Sequence, residues 1–158
     1  MFKNIIVLFI SLFFTISAAF SQGQMPLEIG GRQLNFGFIG SNTNLPIYVG
    51  MDFAVHQDIT IGGEVRPQFW NKGSFIGLLA NGDYHFNTLM DIPSNFDFYL
   101  GLEFGFGLWL SGNSGERSGF IGGLHLGGRY YWSDKWGVNI ELGGGTHYDG
   151  KLGLSMKM

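Results

Sequence analysis

NFDFYLGLEFGFGLWL, Asn95 to Leu110, decides the fold. Its even positions are Phe96, Phe98, Leu100, Leu102, Phe104, Phe106, Leu108 and Leu110, all large and apolar. Its odd positions are Asn95, Asp97, Tyr99, Gly101, Glu103, Gly105, Gly107 and Trp109, mostly polar or without a side chain. Successive side chains of a β-strand point to opposite faces, so strict alternation predicts one greasy and one polar or empty face. A helix would mix the two sets on every side, and each interior glycine would cost it about 1 kcal/mol.

The same period runs through the chain on both sides of this segment. Ile47, Val49, Met51 and Phe53 oppose Tyr48, Gly50 and Asp52, and Ile59, Ile61 and Val65 oppose Thr60, Gly62, Glu64 and Arg66. Further on, Leu78, Ala80 and Tyr84 oppose Asn81, Asp83 and His85, and Leu124, Leu126 and Tyr130 oppose His125, Gly127 and Arg129. Trp136, Val138, Ile140, Leu142 and Tyr148 oppose Asn139, Glu141 and His147, and Leu152, Leu154, Met156 and Met158 oppose Lys151, Gly153, Ser155 and Lys157. A weaker first strand falls near 29–40. Turn residues separate the runs: His56-Gln57-Asp58, Asn71-Lys72-Gly73, Asp91 to Ser94, Ser111 to Arg117, Ser133-Asp134 and Asp149-Gly150. Eight strands joined by tight turns predict an all-β, antiparallel up-and-down barrel, which has no free edge. Most runs are long enough to cross a bilayer, which takes about 9–11 tilted residues.

Composition narrows the class. The chain has 158 residues, 27 glycines, no cysteine and only 13% charged residues. Missing cysteines exclude a disulfide scaffold and a lipoprotein anchor. Nine Lys+Arg against 12 Asp+Glu leave no basic surface for nucleic acid. Hydrophobic content of 45% excludes a disordered chain.

The first 21 residues have the layout of a secretory signal: Lys3, an apolar run from Ile5 to Phe14, and the small-x-small site Ala19-Phe20-Ser21. Cleavage there leaves a single domain, residues 22–158. No later stretch is apolar for the 18 residues a spanning helix needs.

Orientation follows from the second face. It holds Asp52, Glu64, Arg66, Asp83, Asp97, Glu103, Arg129, Glu141 and Lys157 among glycines. An eight-stranded barrel has room inside only for side chains, so glycine and paired charge suit its interior. The apolar set, with Phe98, Leu102 and Phe106 at its centre, then faces lipid, and Trp132 and Trp136 flank a turn at interface height. A lipocalin-like soluble barrel shares the periodicity and reverses the faces. The inward charges are expected to form an ion-pair network that fills the lumen; a narrow channel is the sharper alternative.

The last strand ends Lys151-x-Gly153-x-x-Met156-x-Met158, polar-x-Gly-x-x-apolar-x-apolar to the final residue. This resembles the terminal signal by which the outer-membrane assembly machinery recognises barrel clients, with Met158 where those proteins usually carry Phe. With the signal segment and strand count, residues 22–158 resemble a small outer-membrane barrel of the OmpA/OmpX type. The resemblance implies a bacterial outer-membrane location in a Gram-negative envelope. It also implies both termini in the periplasm, contact with lipids including lipopolysaccharide, and delivery by periplasmic chaperones to the assembly machinery. A monomer without cofactor is expected. Turns at 56–58, 89–95 and 133–135 would be periplasmic; loops near 41–44, 71–73, 111–118 and 148–151 would be extracellular.

Chemistry is sparse. His56, His85, His125 and His147 all fall on the inward phase. Lipid A acyl-modifying enzymes exist among small barrels, and His147 near Ser114 and Ser118 is the candidate pair. No His-x-Ser pair or G-x-S-x-G elbow supports it. Asp83 and His85, two apart on one face, are too few ligands for a metal. The glycine pairs Gly122-Gly123 and Gly143 to Gly145 lie in strands and lack the strand-turn-helix setting of a phosphate loop. The loops are short for an adhesin. Pro67 lacks a ladder N–H and predicts a bulge or an early end to pairing.

Overall fold

The computed structural model describes residues 25–40, 46–70, 73–111, 118–146 and 150–158. Eight strands occur in chain order: β1 (Arg32–Ile39), β2 (Ile47–His56), β3 (Ile59–Trp70), β4 (Gly73–His85), β5 (Phe96–Ser111), β6 (Gly119–Tyr131), β7 (Trp136–Gly145) and β8 (Gly150–Lys157). Each pairs antiparallel with its sequence neighbour, and β1 pairs with β8 through Phe36↔Leu154, closing the barrel. A single turn of helix, α1 (Asn87–Met90), follows β4 and ends on Asp91, whose φ of 52° is one that Asp tolerates.

The strand phase holds nearly throughout. Leu78 and Leu79 are adjacent, yet Leu78 is exposed and Leu79 is buried. Phe98, Leu100, Leu102, Phe104 and Phe106 all point outward, while Asp97, Tyr99 and Glu103 are buried. Apolar side chains therefore coat the outside and polar ones fill the inside. Aromatic rings collect around the end that carries the short turns. Phe96 lies 5.0 Å from Tyr130, Tyr84 lies 5.3 Å from Phe86, and Phe36 meets Trp136 edge-on at 6.5 Å.

Three expectations change. His56 is not inward: its side chain is 57% exposed, because the register shifts between Ala54 and His56 as β2 enters its turn. β7 stops at Gly145, short of Tyr148, and β4 stops at His85, so Phe86, which the same alternation would add to it, lies beyond the strand. The first strand begins at Arg32 rather than near 29, because residues before it leave the sheet. At Pro67 the second of the two expected outcomes holds: there is no bulge against β4, where it pairs in register with Ile76, but pairing of β3 with β2 ends early, at Val49↔Val65. Beyond that point no β2 carbonyl needs the missing N–H. The segment read as a signal, residues 1–21, and His147, Tyr148 and Ser114 lie outside the described residues.

Inward glycines make room for large neighbours. A Cβ on Gly127 would enter the Tyr99 ring, and one on Gly101 would meet the side chains of Asp83 and His125. Gly127→Val is expected to cost about 1–3 kcal/mol by overpacking. Gly144→Val, at a position with open space around it, is the neutral control. Urea midpoints of the two refolded variants check this, and equal midpoints would contradict it.

Candidate functional site: the barrel lumen

Every strand sends polar side chains into the lumen, and they join into tiers. In the tier nearest the long loops, Arg66 contacts Glu64 and makes a two-pronged bond to Glu103, with Arg66 Nη1 to Glu103 Oε1 at 2.8 Å. Lys151 Nζ bridges Glu64 and Glu141, each at 2.8 Å. Below it, Arg129 Nη2 donates to Asp52 at 2.8 Å and Nη1 to Asp97 at 3.0 Å, while its guanidinium lies 4.1 Å over the Tyr99 ring. Asn35 and Asn81 also donate to Asp52, at 2.7 and 3.1 Å. His125 Nε2 pairs with Asp83 at 2.8 Å. Toward the turn end, Tyr131 O–H donates to Gln33, and Gln33 donates to Asn35 at 3.0 Å. An ion this deeply buried is tolerated only when paired and hydrogen-bonded, and these are.

The structure thus brings Glu64, Arg66, Glu103 and Glu141 into one cluster with Lys151, and Asp52 and Arg129 into another with Asp97. Asp83 joins through His125. The inward phase marks a residue's face but not its partner, so it puts Asp97 inside without giving Arg129 and His85 as its partners. Lys151 reads first as part of the terminal motif, where it also stands in phase. Of that motif, Gly153 sits opposite Gly37 on β1, Met156 pairs with Leu34 near the end of β8, and Met158 lies just past the strand, its N–H donating to Arg32 O at 2.8 Å. On the outside, Phe98, Leu102, Phe106 and Trp132 are exposed and Trp136 is half-buried.

Two apolar caps bound the polar column. At the loop end Phe75, Leu79 and Ile121 pack together inside with Trp109 against them. At the turn end the stretch Met25 to Gly31 folds across the mouth. Met25 and Leu27 are buried with Ala54, Gly30 N–H donates to Ala54 O at 2.8 Å, and Lys157 Nζ donates to Pro26 O at 3.0 Å. Between the caps lies a polar cavity of about 20 Å³, room for one water, lined by Asp83, His125, Arg129, Glu141 and Lys151 among others.

One set of side chains has nucleophile–base–acid geometry. Thr60 Oγ1 lies 3.0 Å from His85 Nε2, and His85 Nδ1 lies 2.7 Å from Asp97 Oδ1. All three are buried, neither Thr60 nor His85 borders the cavity, and Asp97 is also held by Arg129. A substrate has no approach to Thr60, so the set acts as a tie between β3, β4 and β5. Among the described residues no group of three or more His, Asp or Glu is arranged to hold a metal. Ser118, exposed at the loop end, accepts a hydrogen bond from Trp109 N–H at 3.0 Å and has no histidine partner among the described residues.

No protein-family model and no curated protein matches the chain. Among solved structures it is similar to a de novo designed transmembrane β-barrel, with a TM-score of 0.57 and 13% identity over 85% of this chain and 100% of that one. It is also similar to the N-terminal β-barrel domain of Pseudomonas aeruginosa OprF, with a TM-score of 0.55 and 14% identity over 82% of this chain and 98% of that one. At such identities the likeness speaks for the fold alone, an eight-stranded antiparallel closed barrel like those transmembrane barrels.

Proposed function

We propose that this chain is an integral protein of a bacterial outer membrane: a sealed, side-chain-filled barrel with a structural or interaction role in the cell envelope, neither enzyme nor channel. The observation that carries the reading is the inside-out distribution of side chains. Charged residues that water would stabilise are buried and paired, while leucine and phenylalanine cover the outside. A soluble barrel of the same strand count would show the reverse.

In this reading residues 1–21 direct export and residues 22–158 form the barrel. Both termini and the short turns face the periplasm. The terminal strand, with Lys151, Gly153, Met156 and Met158, is what the assembly machinery engages after periplasmic chaperones deliver the chain. Membrane lipid, including lipopolysaccharide, is the main partner of the outer face, and the protein works as a monomer.

The sealed lumen has a direct test. The ion-pair tiers and the two apolar caps support this reading, since the cavity between them has room for about one water. Purified refolded protein in a planar bilayer is expected to give no steady conductance at either polarity. Reproducible openings on the nanosiemens scale, absent from a bilayer treated with detergent alone, would overturn the sealed reading in favour of a narrow channel.

A further inference from the structure

The barrel wall is uneven in height. Register pairing of β2 with β3 ends at Val49↔Val65, and that of β6 with β7 ends at Gly123↔Gly145. Among the described residues, four strands continue past these points without the others. β3 and β4 pair on to Trp70↔Gly73, β4 and β5 to Ser74↔Ser111, and β5 and β6 to Gly107↔Gly119. The result is a raised four-stranded wall on one side of the loop end.

Its outer face is apolar. Phe69, Leu110 and Phe120 are 69%, 59% and 90% exposed, and Ile76, Phe106 and Leu108 lie between them and the main belt. No charged side chain interrupts the outward phase there among the described residues. On β5 the apolar face climbs from Phe96 to Leu110, about 35 Å along the axis at roughly 3.3 Å per residue and about 40° of strand tilt. On β7 it runs only from Trp136 to Leu142, about 15 Å by the same geometry. An outer-membrane apolar band is about 25 Å tall. An upright barrel would leave the top of one side in water and bury loop residues on the other.

We infer that the outer face of the raised wall is a lipid-binding surface, covered by acyl chains of the leaflet on the loop side, and that the barrel leans so that this long wall crosses the bilayer obliquely. The inference rests on the membrane reading above. Acyl chains are the occupant because, among the described residues, the patch continues the lipid-facing belt without a polar break and offers no charge to a protein partner.

The chain has no cysteine, so single nitroxide labels can be placed cleanly. Phe120→Cys and Leu110→Cys report on the raised wall, Phe98→Cys on the middle of the belt, and Gln57→Cys on an exposed turn. Each full-length variant is refolded into dimyristoyl phosphatidylcholine vesicles. The readout is the ratio of oxygen to nickel-complex collision rates. At Phe120→Cys and Leu110→Cys the ratio is expected to match Phe98→Cys and to stand several-fold above Gln57→Cys. Ratios like Gln57→Cys at the wall, with Phe98→Cys still high, would overturn the inference and leave the membrane reading intact. A low ratio at Phe98→Cys would remove both. Dipolar broadening at Phe120→Cys that disappears on dilution with unlabelled protein would assign the face to a second copy and overturn the lipid assignment.

Discussion

Arg129→Met is expected to destabilise the barrel by about 3–5 kcal/mol, the cost of stripping one partner from a buried ion pair. Arg129 is the cation between Asp52 on β2 and Asp97 on β5, which lie on different sides of the lumen. Without it, two buried carboxylates lose the cation they share. Methionine fills much of the volume, so the loss reads the charge rather than a cavity. Asp97 would keep His85, and Asp52 would keep Asn35 and Asn81, so the fold is expected to survive with a lower urea midpoint. Arg129→Lys should recover only part of the loss, since one ammonium cannot reach both carboxylates with the geometry of a guanidinium. An Arg129→Met midpoint equal to that of the parent would mean the central tier contributes nothing to stability.

The second large effect lies on the other face. Leu102 is 60% exposed at mid-height of β5. In a water-soluble protein Leu102→Arg would change stability by about 0.5 kcal/mol or less, since an exposed site accepts charge. In a lipid-embedded barrel the same change at mid-membrane costs about 2–4 kcal/mol. Urea titration of the variant in vesicles, with Gln57→Arg at the exposed turn as control, separates the two cases. A neutral Leu102→Arg would count against lipid around β5.

Much of this architecture was legible in the residues, and the reason is the period of two. Alternation needs no knowledge of partners, so strand number, closure and face followed from segments such as Asn95 to Leu110. What alternation cannot supply is register. Arg129 could be placed inside the barrel, but its reach to Asp52, 77 residues away, depends on how β6 and β2 lie across the lumen. Lys151 was hidden by standing in a recognisable terminal pattern. The interior caps were hidden for a different reason. A two-letter reading assigns apolar residues to lipid, and Phe75, Leu79 and Ile121 are apolar yet inward. In β4 apolar residues stand on both faces from Phe75 to Ala80, so no contrast marks the inner ones. Met25 and Leu27 precede the first strand, where no periodicity speaks at all. His56 misled because a register shift at a strand end moves one side chain without altering the pattern around it.

The central claim is that the apolar face meets lipid and the polar face does not. Leu78 and Leu79, neighbours in sequence on opposite faces of β4, test it within a single residue step. The measurement is the nuclear Overhauser contact between lipid acyl chains and methyl-labelled leucines of the barrel in lipid nanodiscs. Strong contacts from acyl methylenes to Leu78, Leu102 and Leu126, with none to Leu79, are the predicted result. Contacts to Leu79, or water contacts at Leu102 and Leu126 in place of lipid, would contradict it.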